Sequence, residues 1–201
     1  MSEFAPFTRA RSEAQRQDRS SRVVAATRRC LEETGAATLT LGDVAAAAGL
    51  AKSGILRYFG SREALLLRVM YDEHLTWIEA LADELGRSAP AAALARTLTA
   101  HPVLCDLIAA SPVLINRLGR EDFRALTAQG EAAQRRLGAA LQQSLPLSDE
   151  QLRSLTAAIH AFTGTAWAWT TPDSAGRNAM VTDFEATVSR LLGIFIAGLR
   201  A

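Results

Sequence analysis

The sequence predicts an all-α protein, and three observations carry that prediction. Alanine and leucine are abundant, aromatics make up only 6% of residues and runs of β-branched residues are scarce, a balance that favours helices over strands. Apolar residues recur at helical spacing through successive stretches. Glycine, proline and capping residues separate those stretches at helix length. The result is about nine helices: a small three-helix unit containing a helix-turn-helix within residues 1–62, then a larger helical domain over residues 63–201.

Residues 1–20 are polar and arginine-rich. Arg9, Arg11, Arg16 and Arg19 make either a flexible arm that follows a nucleic-acid backbone or a solvated tail. From Ser20 or Ser21 a helix is expected to about Glu33, with Val23, Ala26, Thr27, Cys30 and Leu31 as its buried stripe and Thr34-Gly35 as its end. Thr40 then caps a short helix from Leu41, where Asp43 suits the positive end of the helix dipole. Gly49 breaks that helix, and a second short one runs from about Lys52 to Tyr58. Two short helices joined by a glycine turn are a helix-turn-helix pattern, although an ordinary three-helix packing unit would read the same way.

Gly60 stops the second short helix and Ser61 caps a long one carrying Leu66, Met70, Trp77, Leu81 and Leu85 to about Gly86. Pro90 opens a helix over about Ala91–Ala100, and His101-Pro102 ends it because the residue before proline disfavours helical backbone. A short apolar helix is expected over Val103–Ala110, broken at Ser111-Pro112, with a further piece through Leu118. Glu121–Leu145 forms a long amphipathic helix with Phe123, Leu126, Leu137 and Leu141 inward. Short, kinked helices between long ones leave gaps, which places a cavity here. Ser148–Gln151 caps a helix to about Thr170, Thr171–Asn178 reads as a loop, and the last helix runs from Thr182 or Asp183 to Leu199. These last two helices are apolar on too many sides to face water, which suggests burial against a second copy; a monomer with a well-covered core is the alternative.

Arg22–Arg68 resembles the DNA-binding domain of the TetR family of bacterial regulators. The resemblance rests on the helix VVAATRRCLEETG (Val23–Gly35), the threonine-containing entry at Thr38 and Thr40, the AGL turn of Ala48–Leu50 and YFGSREALL over Tyr58–Leu66. It covers about the first third of the chain. The sequence departs from the family pattern at Ala51, where a serine is usual, and at Leu56, where a tyrosine is usual. The first removes a capping hydroxyl and the second a DNA contact. The resemblance implies a homodimer built by the last two helices as a four-helix bundle. It also implies a phosphate contact by the basic residue at Arg62.

Charge is unevenly shared. Residues 1–62 hold ten Lys/Arg against six Asp/Glu, whereas residues 63–201 hold twelve against fifteen. A basic head on an acidic body suits duplex binding by one end. Cys30 and Cys105 lie in no CxxC or Cys/His cluster and read as buried apolar residues in a reducing cytoplasm. His74, His101 and His160 are far apart and carry no metal spacing. No apolar run approaches the ~20 residues that span a bilayer, and the first residues lack the apolar core of a signal peptide. No nucleophile–base motif, catalytic carboxylate pair or phosphate loop points to an enzyme, and no cofactor is expected.

These readings converge on a cytoplasmic, sequence-specific DNA-binding transcriptional regulator. By analogy with the family it is a repressor, released from a palindromic operator by a small, largely hydrophobic ligand. A small-molecule sensor of the same fold that no longer binds DNA is the alternative. The expected DNA contacts are Thr40, Lys52, Ser53, Arg57, Tyr58 and Arg62; Tyr58 could instead close the core of the small domain. The expected ligand contacts are His101, Cys105, Asn116, Arg117, His160, Thr163 and Trp167, polar or aromatic residues within an apolar body. The expected dimer face is Leu155, Ile159, Phe162, Trp169, Phe184, Val188, Leu191 and Phe195.

Overall fold

The computed structural model describes the backbone of residues 5–170 and 183–201, and side chains from residue 15 onward. The expected loop at Thr171–Asn178 and the side chains of Arg9 and Arg11 lie outside the described residues. Nine helices and no strand occur among the described residues: α1 (Ala5–Thr38), α2 (Leu41–Ala48), α3 (Lys52–Phe59), α4 (Arg62–Leu85), α5 (Pro90–Thr99), α6 (Pro102–Asn116), α7 (Arg120–Gln142), α8 (Asp149–Thr170) and α9 (Phe184–Arg200).

Two differences from the expected elements have clear causes. Helix α1 begins at Ala5 and not at Ser20. The added stretch is rich in the helix formers Ala, Gln, Arg and Glu, and an Arg22–Asp18 pair one turn apart supports it. Helix α6 runs through Ser111-Pro112 without a break. Proline cannot donate to the carbonyl four residues back, and that carbonyl, Ile108 O, instead accepts the Ser111 hydroxyl at 2.8 Å. The proline is tolerated because its neighbour supplies the missing donor.

The remaining ends follow local chemistry. Thr40 and Asp43 form a reciprocal capping box at the start of α2, and Gly49 closes that helix in the left-handed region at φ 65°. Gly35, at φ 72° and ψ 164°, kinks the end of α1. Ser61 Oγ accepts from Ala64 N at 3.0 Å to start α4, and Asp183 accepts from Ala186 N at 2.9 Å to start α9. Prolines 90 and 102 occupy the first turns of α5 and α6, where a missing N–H costs nothing. The two helices meet at 94°.

Two cores result. The head core gathers Val23, Leu31, Val44 and Ile55 with the first turns of α4 (Leu65, Leu66, Val69) and with Val103 and Leu107 of α6. The body core gathers Trp77, Leu81, Leu94, Leu98, Leu104, Leu137, Leu141, Leu155 and Ile159 with Val188, Leu192 and Ile196 of α9. Helix α4, 24 residues long, is common to both. Phe123 of α7, expected inside, is 48% exposed. No single helix among the described residues is long and apolar enough to cross a membrane.

Candidate nucleic-acid interface and effector cavity

Helix α3 is anchored by Ile55, which is fully buried, and turns Lys52, Ser53 and Arg57 outward. These are two cations and a hydroxyl on one eight-residue helix, the groups that reach phosphates and base edges. Its N-cap, Ala51, makes no side-chain capping bond. Leu56, where the family pattern has tyrosine, is 41% exposed. Tyr58 is half-buried, with the Arg16 guanidinium over its ring at 5.8 Å, a cation–π contact that draws the extended part of α1 against α3.

Thr40 is exposed, but its hydroxyl is engaged locally. It donates to Asp43 Oδ2 at 2.7 Å and accepts from Gly42 N and Asp43 N. The Thr40 hydroxyl and N–H hold the Asp43 carboxyl below its ordinary pKa, with smaller help from Lys52.

Arg62, expected at phosphates, does something else. Its Nε donates to Leu39 O at 2.6 Å and its Nη2 to Ala36 O, while Nη1 lies 3.5 Å from Glu63 Oε1. The kink at Gly35 leaves carbonyls at the end of α1 without helical partners, and the guanidinium supplies donors to them. Arg62 therefore fastens α4 to the entry of the helix-turn-helix. Two further ties join head and body. Glu73 of α4, only 6% exposed, meets Arg28 of α1 with Oε1 2.8 Å from Nε and Oε2 3.3 Å from Nη2. Burial pushes the Glu73 carboxyl up in pKa, and Arg28 opposes that shift. Asp106 of α6 accepts from Ala36 N at 2.6 Å.

The body contains a cavity of about 250 Å³ between α4, α6, α7 and α8. Leu67, Met70, Ile115, Leu118, Phe123 and Leu126 supply most of its apolar wall, and Tyr71, His74, Ser111, Thr127, Gln129, Gln134 and His160 its polar groups. No lining side chain is an aspartate, glutamate, lysine or arginine. The His74 and His160 rings face each other at 4.9 Å, and the His74 ring also meets Trp77 edge-on at 5.5 Å. Burial, aided by His160, lowers the His74 pKa to about 3. Burial likewise lowers that of His160. Both rings are neutral at physiological pH. His160 Nδ1 lies 2.8 Å from Thr156 O. A carbonyl only accepts, so Nδ1 carries the proton and Nε2 is the acceptor.

Of the expected ligand contacts, only His160 lines this cavity. Cys105 is fully buried in the body core, its thiol on Leu98 O at 3.3 Å, and burial raises its pKa to about 12. His101 Nδ1 caps the end of α5 on Thr97 O. Asn116 and Arg117 are exposed at the end of α6. Thr163 is buried away from the cavity, and Trp167 packs edge-on against Phe184 at 5.4 Å. Sequence reasoning missed His74, Tyr71, Ser111 and Gln129. His74 and Tyr71 sit on the long helix α4, and only the packing of α7 on that helix, with His160 of α8 against His74, turns them into cavity wall. Among the described residues no cluster of three or more His, Cys, Asp or Glu could hold a metal.

The expected dimer face divides in two. Leu155, Ile159 and Val188 are fully buried and Phe184 nearly so, all within the chain's own core, because α8 and α9 pack on α5 and α6 with their most apolar stripes. Phe162, Leu191 and Phe195 remain partly exposed and Trp169 is 46% exposed. The outward stripe consists of Ala157, Ala161, Thr165 and Ala168 on α8 with Ile194 (67% exposed), Ala197 and Gly198 on α9.

The sequence model described as bacterial regulatory proteins, tetR family, matches residues 23–69, and the tetracyclin repressor-like C-terminal domain matches residues 66–201. A TetR transcriptional regulator from Rhodococcus sp. RHA1 is 20% identical, with 92% of this chain and 99% of that one covered at a TM-score of 0.58. A TetR transcription regulator from Haloarcula marismortui ATCC 43049 is 17% identical, covering 91% and 98% at a TM-score of 0.56. The transcriptional regulator FadR from Bacillus subtilis, in complex with stearoyl-CoA, is 16% identical, covering 89% and 98% at a TM-score of 0.56. At these identities the solved structures speak for the fold alone. No curated protein matches the chain.

Proposed function

This chain belongs to the tetR family of bacterial regulatory proteins, non-enzymatic DNA-binding transcriptional regulators, and from that premise we propose that it is a cytoplasmic repressor released from a palindromic operator by a small, largely hydrophobic molecule. The observation that carries the proposal is a single helix, α4, with its first turns in the head core and its middle in the cavity wall. Arg57 and Ser53 read base edges, while Lys52 and Tyr58 meet phosphate. Two copies pair through the outward stripes of α8 and α9, whose small residues allow close approach, and set two recognition helices in successive major grooves ~34–36 Å apart. Ligand in the cavity favours a body conformation that moves α4 and changes that separation. A coupling of ~1–3 kcal/mol is enough to alter operator occupancy.

The test is to sequence the genomic fragments that the purified protein retains. A shared inverted repeat among them, bound less tightly as salt rises, is the expected result, and retention without a common site refutes sequence-specific binding. One observation favours a second reading, a sensor that has lost DNA binding: α3 has no capping hydroxyl at Ala51, an exposed Leu56 in place of tyrosine, and Arg62 turned to internal carbonyls. A gel shift on the chain's own upstream region separates the two readings, since the sensor gives no salt-dependent complex.

A further inference from the structure

The cavity's chemistry narrows the class of molecule it takes, granted the reading above that it is the effector site. One polar group in its wall is left unsatisfied by the protein. Gln129 Oε1 is buried without a hydrogen-bond partner. His160 spends Nδ1 on Thr156 O and leaves Nε2 as an acceptor. A buried acceptor left unmade costs more than a typical bond returns, so an occupant that donates to these atoms removes a standing penalty.

The wall also excludes charge. It holds no ionisable acid or base apart from Tyr71 and the two imidazoles, and burial keeps both imidazoles neutral. An ammonium or carboxylate entering it would be desolvated with no counter-charge. An acyl-CoA brings phosphates that no lysine or arginine in this wall could meet. Size adds a bound. An apolar cavity of about 150 Å³ accepts benzene, so about 250 Å³ accommodates one ring with substituents.

We propose that the effector cavity takes an uncharged, largely apolar molecule of about one substituted ring that bears a hydroxyl or N–H donor, read by Gln129 Oε1 and His160 Nε2. The apolar wall supplies affinity and the two acceptors supply selection. Sites built to hydrogen-bond a hydroxyl reject analogues lacking it far more strongly than apolar walls reject a missing methylene.

The test uses full-length protein and four probes of matched size: 4-ethylphenol, 4-ethylanisole, 4-ethylbenzoate and 4-ethylbenzylamine. Their dissociation constants are measured by calorimetry, and their effect on retained DNA by gel shift. The phenol is expected to bind about tenfold more tightly than the anisole, and the two ionised probes more weakly than either. In Gln129→Met, a half-buried position where a similar volume is kept, the phenol-to-anisole ratio should fall to about threefold or less with anisole binding unchanged. Should Gln129→Met fold poorly, the wild-type ratio alone decides. Equal binding of phenol and anisole, or preference for an ionised probe, overturns the donor assignment while leaving the effector site standing if DNA is still released. Failure of all four probes to bind or to release DNA overturns both.

Discussion

The recognition helix and the cavity are built in opposite ways. In the head, the side chains that would meet DNA sit on one eight-residue helix, with Lys52, Ser53 and Arg57 exposed and Tyr58 half-buried, and Ile55 with the partly buried Phe59 holds it to the core. In the body, the groups that would meet a ligand come from four helices, where buried Leu67, His74 and Ala133 share the wall with the exposed Ile115 and Phe123. Function in the head is therefore separable from stability, whereas in the body His74 and His160 are at once part of the site and part of the packing. The ties between the regions reflect this. Glu73, on the head-facing side of α4, holds Arg28, and His74, its neighbour in sequence, lines the cavity. Adjacent residues of one helix thus address the two sites.

The largest way to break this contrast is in the body. Trp77 is fully buried and its indole N–H donates to Thr97 Oγ1 at 3.0 Å. Trp77→Ala should cost about 3–5 kcal/mol of folding stability, read as a lower denaturant midpoint. In the head, Arg57→Ala should leave that midpoint within about 0.5 kcal/mol yet weaken operator binding by about 1–3 kcal/mol, with relaxed discrimination at one base position. Operator affinity equal to wild type would remove Arg57 from the interface. If Arg57→Ala instead lowered the midpoint as Trp77→Ala does, the head would not be separable.

Acid should act unequally on the two regions. The folded body holds His74 neutral, with its pKa lowered to about 3, while an unfolded histidine takes up a proton near pH 6.5. The stability that this supplies is complete above pH 6.5 and is lost as pH falls below it, by about 1.4 kcal/mol per pH unit for one histidine. His160, shifted the same way, adds to the loss. Asp43 in the head is also lowered, but its contribution disappears only below the ordinary carboxylate range near pH 3.9. Denaturant midpoints between pH 7.5 and 5.5 should therefore fall, and His74→Phe should flatten the slope. An unchanged slope in that variant would mean that His74 is not held neutral.

The same contrast explains what was legible in the sequence. Thr40 with Asp43, Gly49, Ser61, Pro90 and Pro102 are signals read within a few residues, and each marks the element boundary it predicts. The exposure of Lys52, Ser53 and Arg57 also follows from one helix's spacing. Ser111-Pro112 misled because a proline alone reads as a break, whereas the bond from Ser111 to Ile108 O repairs it. The sequence places a gap among short helices between two long ones, whereas the cavity wall comes from α4, α6, α7 and α8, and of the expected contacts it takes His160 alone. Polarity within an apolar stretch does not say which neighbour a side chain meets, so Cys105 and Thr163 went to the core and Asn116 to solvent. Arg62 was misread for a related reason: the carbonyls it satisfies, Ala36 O and Leu39 O, belong to a segment more than twenty residues away.

The smallest expected effect concerns Ala51. Its backbone already has the extended conformation of an N-cap, at φ −77° and ψ 148°, and its carbonyl accepts from Gly54 N and Ile55 N. What α3 lacks is a side-chain oxygen for the N–H groups of its first turn. Ala51→Ser adds that acceptor without requiring any backbone change, because Ala51 is exposed and the hydroxyl meets no packed neighbour. The gain should be about 0.5–1 kcal/mol, which for a chain of this size raises the melting temperature by about 1–4 °C. Arg57 and Lys52 keep their exposure in this variant, so operator affinity should stay equal or rise slightly. A serine that stabilises the fold but weakens DNA binding would show that the uncapped N–H groups of α3 are themselves part of the interface, and that the head is less separable from its own stability than the geometry of Arg57 implies.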